Sequence, residues 1–358
     1  MSGSIAISGP FTHADNSVSR TMQTVMLALV PATLFDLWLF GWPAIFLFGL
    51  TILFCLLIEA GCLMLAKRPV LPALKDGSAI LSGWLIAMSL PPWAPWWIAL
   101  LGAIFAIALA KQVFGGLGQN LFNPAMVARV ALLISFPLQM TQFAAPHPLL
   151  TAHAPDILTG LKITLGCEGN LDSLSAASAL GHIKTELTRG IPVTRTVQTL
   201  PGLKDMLLGI KPGSMGETSA IFILLGGLFL MWRRIISWHI PVSMLLTLFL
   251  LGSLFSAINP ARFASGLIEL LSGASMLGAF FIATDYVTSP VSKKGQVIFG
   301  FGVGFLTWII RSFAGYPEGV AFAVLLMNAT TPIIDHYSRP RVFGRTRQGQ
   351  PVAFGDKK

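Results

Sequence analysis

Ala44-Ile-Phe-Leu-Phe-Gly-Leu-Thr-Ile-Leu-Phe-Cys-Leu-Leu-Ile-Glu-Ala-Gly-Cys-Leu-Met-Leu65 carries one charged side chain, Glu59, in an otherwise apolar run. A bilayer core takes about 20 apolar residues in a helix, and this stretch meets that length. Met22 to Phe40, Trp96 to Ala110 and Ile221 to Trp232 repeat the pattern along the chain. Backbone amides in lipid find no water, so such runs form helices or a closed barrel, and continuous rather than alternating apolarity selects helices. Composition agrees: 54% of the 358 residues are hydrophobic and 11% charged, against roughly 25% charged in a soluble domain.

Apolar runs read against turn and charge breaks predict ten spans, near 21–40, 44–66, 77–90, 94–110, 122–138, 217–232, 239–256, 266–284, 296–311 and 318–335. The expectation is an all-α polytopic membrane protein. It divides into an N-terminal segment 1–20, a first five-helix repeat 21–138, a hydrophilic insert 139–216, a second five-helix repeat 217–335 and a basic tail 336–358. A cytoplasmic N-terminus puts Lys67, Arg68, Lys75, Lys111, Arg233, Arg234, Lys293, Lys294 and the basic tail inside, and leaves Arg262 and Arg311 in the short outside loops. The positive-inside rule therefore predicts both termini on the cytoplasmic side and the insert outside. The net charge of +9 is spread between spans instead of gathered into a basic patch with aromatics, so no nucleic-acid partner is expected. The first 20 residues hold His13, Asp15, Asn16 and Arg20 instead of the apolar core of a cleavable signal. Neither the three cysteines nor the six histidines show metal-ligand spacing.

The third and eighth stretches align without a gap, matching Gly77 with Gly273, Leu81 with Leu277, Ile86 with Ile282 and Ala87 with Ala283. A second echo sets Lys111-Gln-Val-Phe-Gly-Gly116 against Arg311-Ser-Phe-Ala-Gly315. Five spans per half is an odd number, so equivalent segments run in opposite directions and the halves form an inverted repeat. Interruptions at Pro91-Pro92 and at Asp285 to Pro290 fall at corresponding places, which marks a binding site in such folds.

Phe114-Gly-Gly-Leu-Gly-Gln-Asn-Leu-Phe-Asn-Pro-Ala125 joins the fourth and fifth stretches. Pro124 suits a first helical turn and Asn123 its cap; capping explains Asn123 but leaves Asn120 over. Across the pseudo-symmetry, Asp285 ends the eighth stretch, and an ionisable group there is a functional candidate, with a snorkelling end-of-helix carboxylate as its rival. The two segments together could clamp a flat, hydrogen-bonding ligand. Glu59 and Arg129 fall inside spans, as members of an ion path or of structural ion pairs. In the insert, Asp172-Ser-Leu-Ser-Ala-Ala-Ser-Ala-Leu180 reads as a flexible turn with exposed hydroxyls.

Several runs resemble the D subunit of the Rnf electron-transport complex, itself similar to the B subunit of the sodium-pumping NADH:quinone reductase. They are Pro10-Phe-Thr-His13, Leu74-Lys-Asp-Gly-Ser-Ala79, Gly115-Gly-Leu-Gly-Gln-Asn120, Leu271-Ser-Gly-Ala-Ser-Met-Leu-Gly-Ala-Phe-Phe281, Ile310-Arg-Ser-Phe-Ala-Gly-Tyr-Pro-Glu-Gly-Val-Ala-Phe-Ala-Val-Leu-Leu326 and Arg339-Pro-Arg-Val-Phe343. The resemblance implies ten helices in inverted repeats, related to ammonium and urea channels. It also implies a component of an ion-translocating ferredoxin:NAD oxidoreductase in a bacterial inner membrane, with no catalysis of its own. Partners would be the A, B, C, E and G subunits of the Rnf complex, membrane lipid and a flavin transferase. Such proteins carry FMN joined through its phosphate to a threonine in a pattern like Asp-x-x-Ser-x-Ala-Thr. Asp172, Ser175 and Ala177 are in register here, and Ser178 stands at the threonine position. FMN is therefore expected at Ser178, bonded through the hydroxyl or held tightly there. A second flavin, riboflavin, is implied near Asn120, Phe122, Asn123 and Asp285, although Tyr286 replaces the usual proline after the aspartate. The rival classes are a channel or transporter and a purely structural subunit.

Overall fold

The computed structural model describes residues 17–151, 154–167 and 175–338. The expected segment 1–20 up to residue 16, the tail beyond 338 and Asp172 lie outside the described residues. Helices cover all ten predicted stretches, in the order α1 (Val18–Phe40), α2 (Trp42–Leu65), α3 (Ser78–Ser89), α4 (Trp96–Ala103) and α5 (Pro124–Ser135) for the first half. After α6 (Ala179–Thr188) in the insert, the second half holds α7 (Ala220–Trp232), α8 (His239–Ile258), α9 (Lys293–Phe313) and α10 (Val320–Tyr337). The fold is that of an all-α integral membrane protein. Among the described residues four helices, α1, α2, α8 and α9, are long and apolar enough to cross a membrane by themselves.

Local chemistry sets these boundaries. Ser17 caps α1 by accepting from the Arg20 amide, and Gly41, at φ 73°, turns the chain sharply into α2, whose first turn holds Pro43. Asp76 Oδ1 accepts from the Ser78 amide at 2.7 Å and fixes the start of α3. The 12 residues of α3 rise only about 18 Å, short of the roughly 30 Å of a bilayer core. Beyond its C-terminus α4 continues as a π-helix, Ile104–Gln112.

The eighth stretch differs from expectation. It is not one span to residue 284 but two pieces, Gly266–Leu271 and Ser275–Leu277, the second running into a π-helix at Gly278–Ile282. The break sits at 272–274, well before Asp285, with Gly273 at φ 63°. A helix can break in an apolar setting only if its freed carbonyls find donors. Arg311 supplies them, its Nη1 donating to Glu269 O at 2.7 Å and its Nη2 to Ser272 O at 3.1 Å.

The two halves pack through paired helices. α1 and α7 run antiparallel: a Cβ on Gly226 would meet Ala28 O, while Arg20 and Arg233 share a groove at the other end of the pair. α5 and α10 are antiparallel too, since Arg129 bonds to Glu318, before α10, while Asn123, at the start of α5, lies beside Asn328 within α10. Small residues allow close approach between helices. A Cβ on Gly304 of α9 would lie 2.6 Å from Met244 O of α8. One continuous core runs through both halves, from Leu29, Leu47 and Ile86 to Leu277, Phe299 and Val324.

The described part of the insert is folded. Short helices at Ile157–Leu165, α6, Val193–Thr199 and Leu203–Leu208 accompany the only ladder among the described residues, β1 (Phe143–Ala144) against β2 (Ser175–Ala176). The pairing is antiparallel with Phe143 opposite Ala176. Ala179, Ile183, Val193 and Met206 bury themselves against Ala220 and Ile268. The expectation of a flexible turn with exposed hydroxyls is corrected at Ser178, which is 4% exposed.

Candidate functional site

Two cations expected in loops are instead buried. Lys111 sits in the π-helix, its Nζ 2.7 Å from each Glu59 carboxylate oxygen and 2.7 Å from Ser78 Oγ. Arg311 closes α9, its Nη1 2.8 Å from Glu269 Oε2 and its Nη2 2.8 Å from Ser275 Oγ. Each cation therefore ties a glutamate to a serine just after a left-handed glycine, Gly77 at φ 81° or Gly273 at φ 63°. Glu59 and Arg129 are members of ion pairs: Glu59 with Lys111, and Arg129 with Glu318 and, at 3.7 Å, Glu217. Thr218 donates to buried Asp36 nearby. Buried charges are tolerated only when paired in this way.

Beside Lys111 opens a narrow slot of about 90 Å³. Its walls come from both halves: Leu81, Ser82 and Leu85 of α3, Thr21 and Met22 of α1, Phe280 and Phe281 of the broken segment, and Ile235 and Ile236 after α7. Asn120, Asn123 and Asp285 all line it. The loop before α5 and the end of the eighth stretch, far apart in the chain, thus meet at one cavity.

Each polar side chain is held in place. Asn123 caps α5, accepting from the Ala125 and Met126 amides at 3.1 and 3.3 Å, and its Nδ2 reaches Ile282 O at 3.5 Å. That last contact links the two halves across the cavity floor. Asn120 Nδ2 donates to Phe122 O at 3.1 Å. Asp285 accepts from the Val287 amide at 3.4 Å and from Thr288 Oγ1 at 3.1 Å. Phe122 is not among the lining residues; it serves the site through its carbonyl. An apolar slot with a few fixed amide and carboxylate groups has the composition usual for small-molecule sites.

The family model described as NQR2, RnfD, RnfE matches residues 5–344. The chain belongs to this family. Among curated relatives, the D subunit of the ion-translocating oxidoreductase complex of Halorhodospira halophila is 48% identical over 97% of each chain. The proteins of that name from Stutzerimonas stutzeri and Rhodobacter capsulatus are 54% and 51% identical, over 94% and 85% of this chain and 95% and 84% of their own.

Ser178, at the start of α6, lies far along the chain from that cavity. Ser178 is the N-cap, accepting from the Gly181 amide at 3.2 Å. A helix N-terminus favours negatively charged groups such as phosphate. Ser178 is buried. α6 lies over a second groove, lined also by Arg262, Phe263, Arg311 and Phe313. Lys184 of α6 anchors it by donating to Tyr316 O at 3.1 Å and to Ala314 O, and burial pushes its ammonium below the ordinary pKa.

Sequence reasoning missed Lys111, Ser82, Phe280 and Phe281 as lining residues. The one signal for Lys111 was its echo of Arg311, because each cation lines one of the two cavities. Among the described residues, no three His, Cys, Asp or Glu side chains converge as for a metal.

Proposed function

We propose that this chain is an electron-carrying membrane component of an Rnf-type ion-translocating oxidoreductase, with FMN at Ser178 and a second flavin, riboflavin, in the cavity at Asn120, Asn123 and Asp285. The observation that carries the reading is the meeting of those three residues at one largely apolar cavity. A flavin supplies one- and two-electron chemistry, and the protein tunes it by hydrogen bonds, charge and burial. Asn120 and Asn123 offer amide groups for ring edges, Asp285 sets local charge, and Phe280 and Phe281 exclude water. The chain then relays electrons between ferredoxin and NAD together with the A, B, C, E and G subunits, in an assembly that moves sodium ions or protons, after maturation by a flavin transferase.

The same reading takes the ten helical stretches as an inverted repeat in the bacterial inner membrane, with cytoplasmic termini and the 139–216 insert outside. The antiparallel pairs α1/α7 and α5/α10 and the matched Lys111 and Arg311 clusters support it.

The test is the native complex purified from a host with the partner subunits and the flavin transferase. Expected is a yellow chain whose peptide around 172–184 carries an FMN mass, together with a flavin released on denaturation. A colourless chain would favour a channel-like or purely structural role. An FMN mass on Thr185 or Thr188 would move the attachment from Ser178.

A further inference from the structure

A third cavity abuts the site of Asn120, Asn123 and Asp285. It is an open groove of about 460 Å³ where the first turns of α1 meet the C-terminus of α7, lined by Arg20, Thr24, Trp232, Arg233, Arg234 and Tyr286. Three arginines and no carboxylate line it. Arg233 and Arg234 are exposed, and among the described residues neither takes part in an ion pair. Asp285, beside Tyr286 in sequence, forms no ion pair with either of them among the described residues.

The surroundings point to lipid. Trp232 is 76% exposed and Tyr286 58%, and both types favour the headgroup level of a membrane. Along the same two helices Leu27, Leu225 and Leu228 are exposed, so apolar helix faces lead away from the arginines. Basic pockets between membrane helices recognise anionic headgroups, and guanidinium forks match phosphate oxygens in pairs.

We propose that this groove binds the phosphate headgroup of an anionic phospholipid, with the acyl chains laid along α1 and α7. The site does not depend on a flavin being bound next door, although the two cavities share Thr21, Ile235 and Tyr286. A lipid held there would fix the α1/α7 junction that forms one wall of the inner cavity.

The test is native mass spectrometry of the full-length protein, delipidated in mild detergent and titrated with phosphatidylglycerol, phosphatidylcholine of matched chains, or inorganic phosphate. Expected is retention of phosphatidylglycerol over phosphatidylcholine, falling about fivefold for each arginine removed in Arg233→Ala and Arg234→Ala. Flavin content should stay at the wild-type level in the same samples. Equal retention of the two lipids, or an unchanged preference in Arg233→Ala/Arg234→Ala, overturns the proposal. Displacement of the lipid by millimolar inorganic phosphate makes the groove a free-anion site and also overturns it. So does loss of a partner protein, with lipid retained, in the variant complex. If the double alanine variant fails to fold, Arg233→Gln alone carries the same expectation at about fivefold.

Discussion

Lys111 and Arg311 make matching contacts in the two halves: a glutamate oxygen at 2.7 and 2.8 Å and a serine hydroxyl at 2.7 and 2.8 Å. Both bind the segment that follows a left-handed glycine, so both clamp a shortened or broken helix onto its neighbour. Sequence separations of 52 and 42 positions make these tertiary locks rather than local pairs.

Removing one member of the first lock strands a buried charge. Lys111→Met should lower stability by about 3–5 kcal/mol, and Lys111→Met/Glu59→Leu by clearly less, because an unpaired buried ion costs more than an apolar pair of similar volume. Thermal midpoints in detergent check this; equal losses would show that Glu59 finds another cation.

The second lock needs a fork. Arg311 serves four acceptors through two nitrogens, the Glu269 carboxylate and carbonyl, Ser272 O and Ser275 Oγ. Arg311→Lys keeps the charge but leaves carbonyls unmatched, so a loss of about 1–3 kcal/mol is expected. The same measurement reads it, with unaltered stability as the contrary result.

Lys211 donates to Leu271 O, and burial pushes its ammonium down to about 8 against the pull of the Glu217 carboxylate. Below pH 8 both states hold the proton and the folded protein bears the full penalty. Between about 8 and the ordinary 10.5 the unfolded chain keeps a proton that the folded protein has released, so stability rises with pH through that window. Relative to Lys211→Met, wild type should gain on the order of 3 kcal/mol across it. Parallel pH profiles of the two midpoints would contradict the assignment.

In the inner cavity, Asn123→Ala removes both the α5 cap and the link to Ile282 O. Losing the cap costs about 1 kcal/mol. Asp285→Asn keeps shape and removes charge. If the cavity holds a flavin, Asp285→Asn should shift its redox midpoint while leaving helix stability near wild type, as potentiometric titration of the purified complex would show. A shifted melting temperature with an unshifted potential would assign Asp285 to structure alone.

Close helix packing gives the last expectation. Gly226→Val would drive side-chain atoms into Ala28 O at the α1/α7 contact, and the cost is overpacking of about 1–3 kcal/mol or more. Gly49→Ala in α2 is the control, since a Cβ there meets nothing within 4 Å. Comparable losses at both positions would deny the α1/α7 contact its importance.

The sequence by itself determined the helical class and the helical character of the ten apolar stretches, because hydrophobic run length and turn residues act locally. It also singled out Asn120, Asn123 and Asp285, since polar groups beside helix breaks in apolar surroundings are conspicuous. Tertiary structure alone decided that Lys111 and Arg311 leave the loops for the interior, since a buried cation is stable only where a distant glutamate arrives to meet it. It likewise decided that the eighth stretch breaks at Gly273, where Arg311 offers donors, and that Ser178 is a covered cap on a folded insert. Those outcomes depend on contacts between segments far apart in the chain, and no local pattern encodes which partner will be there.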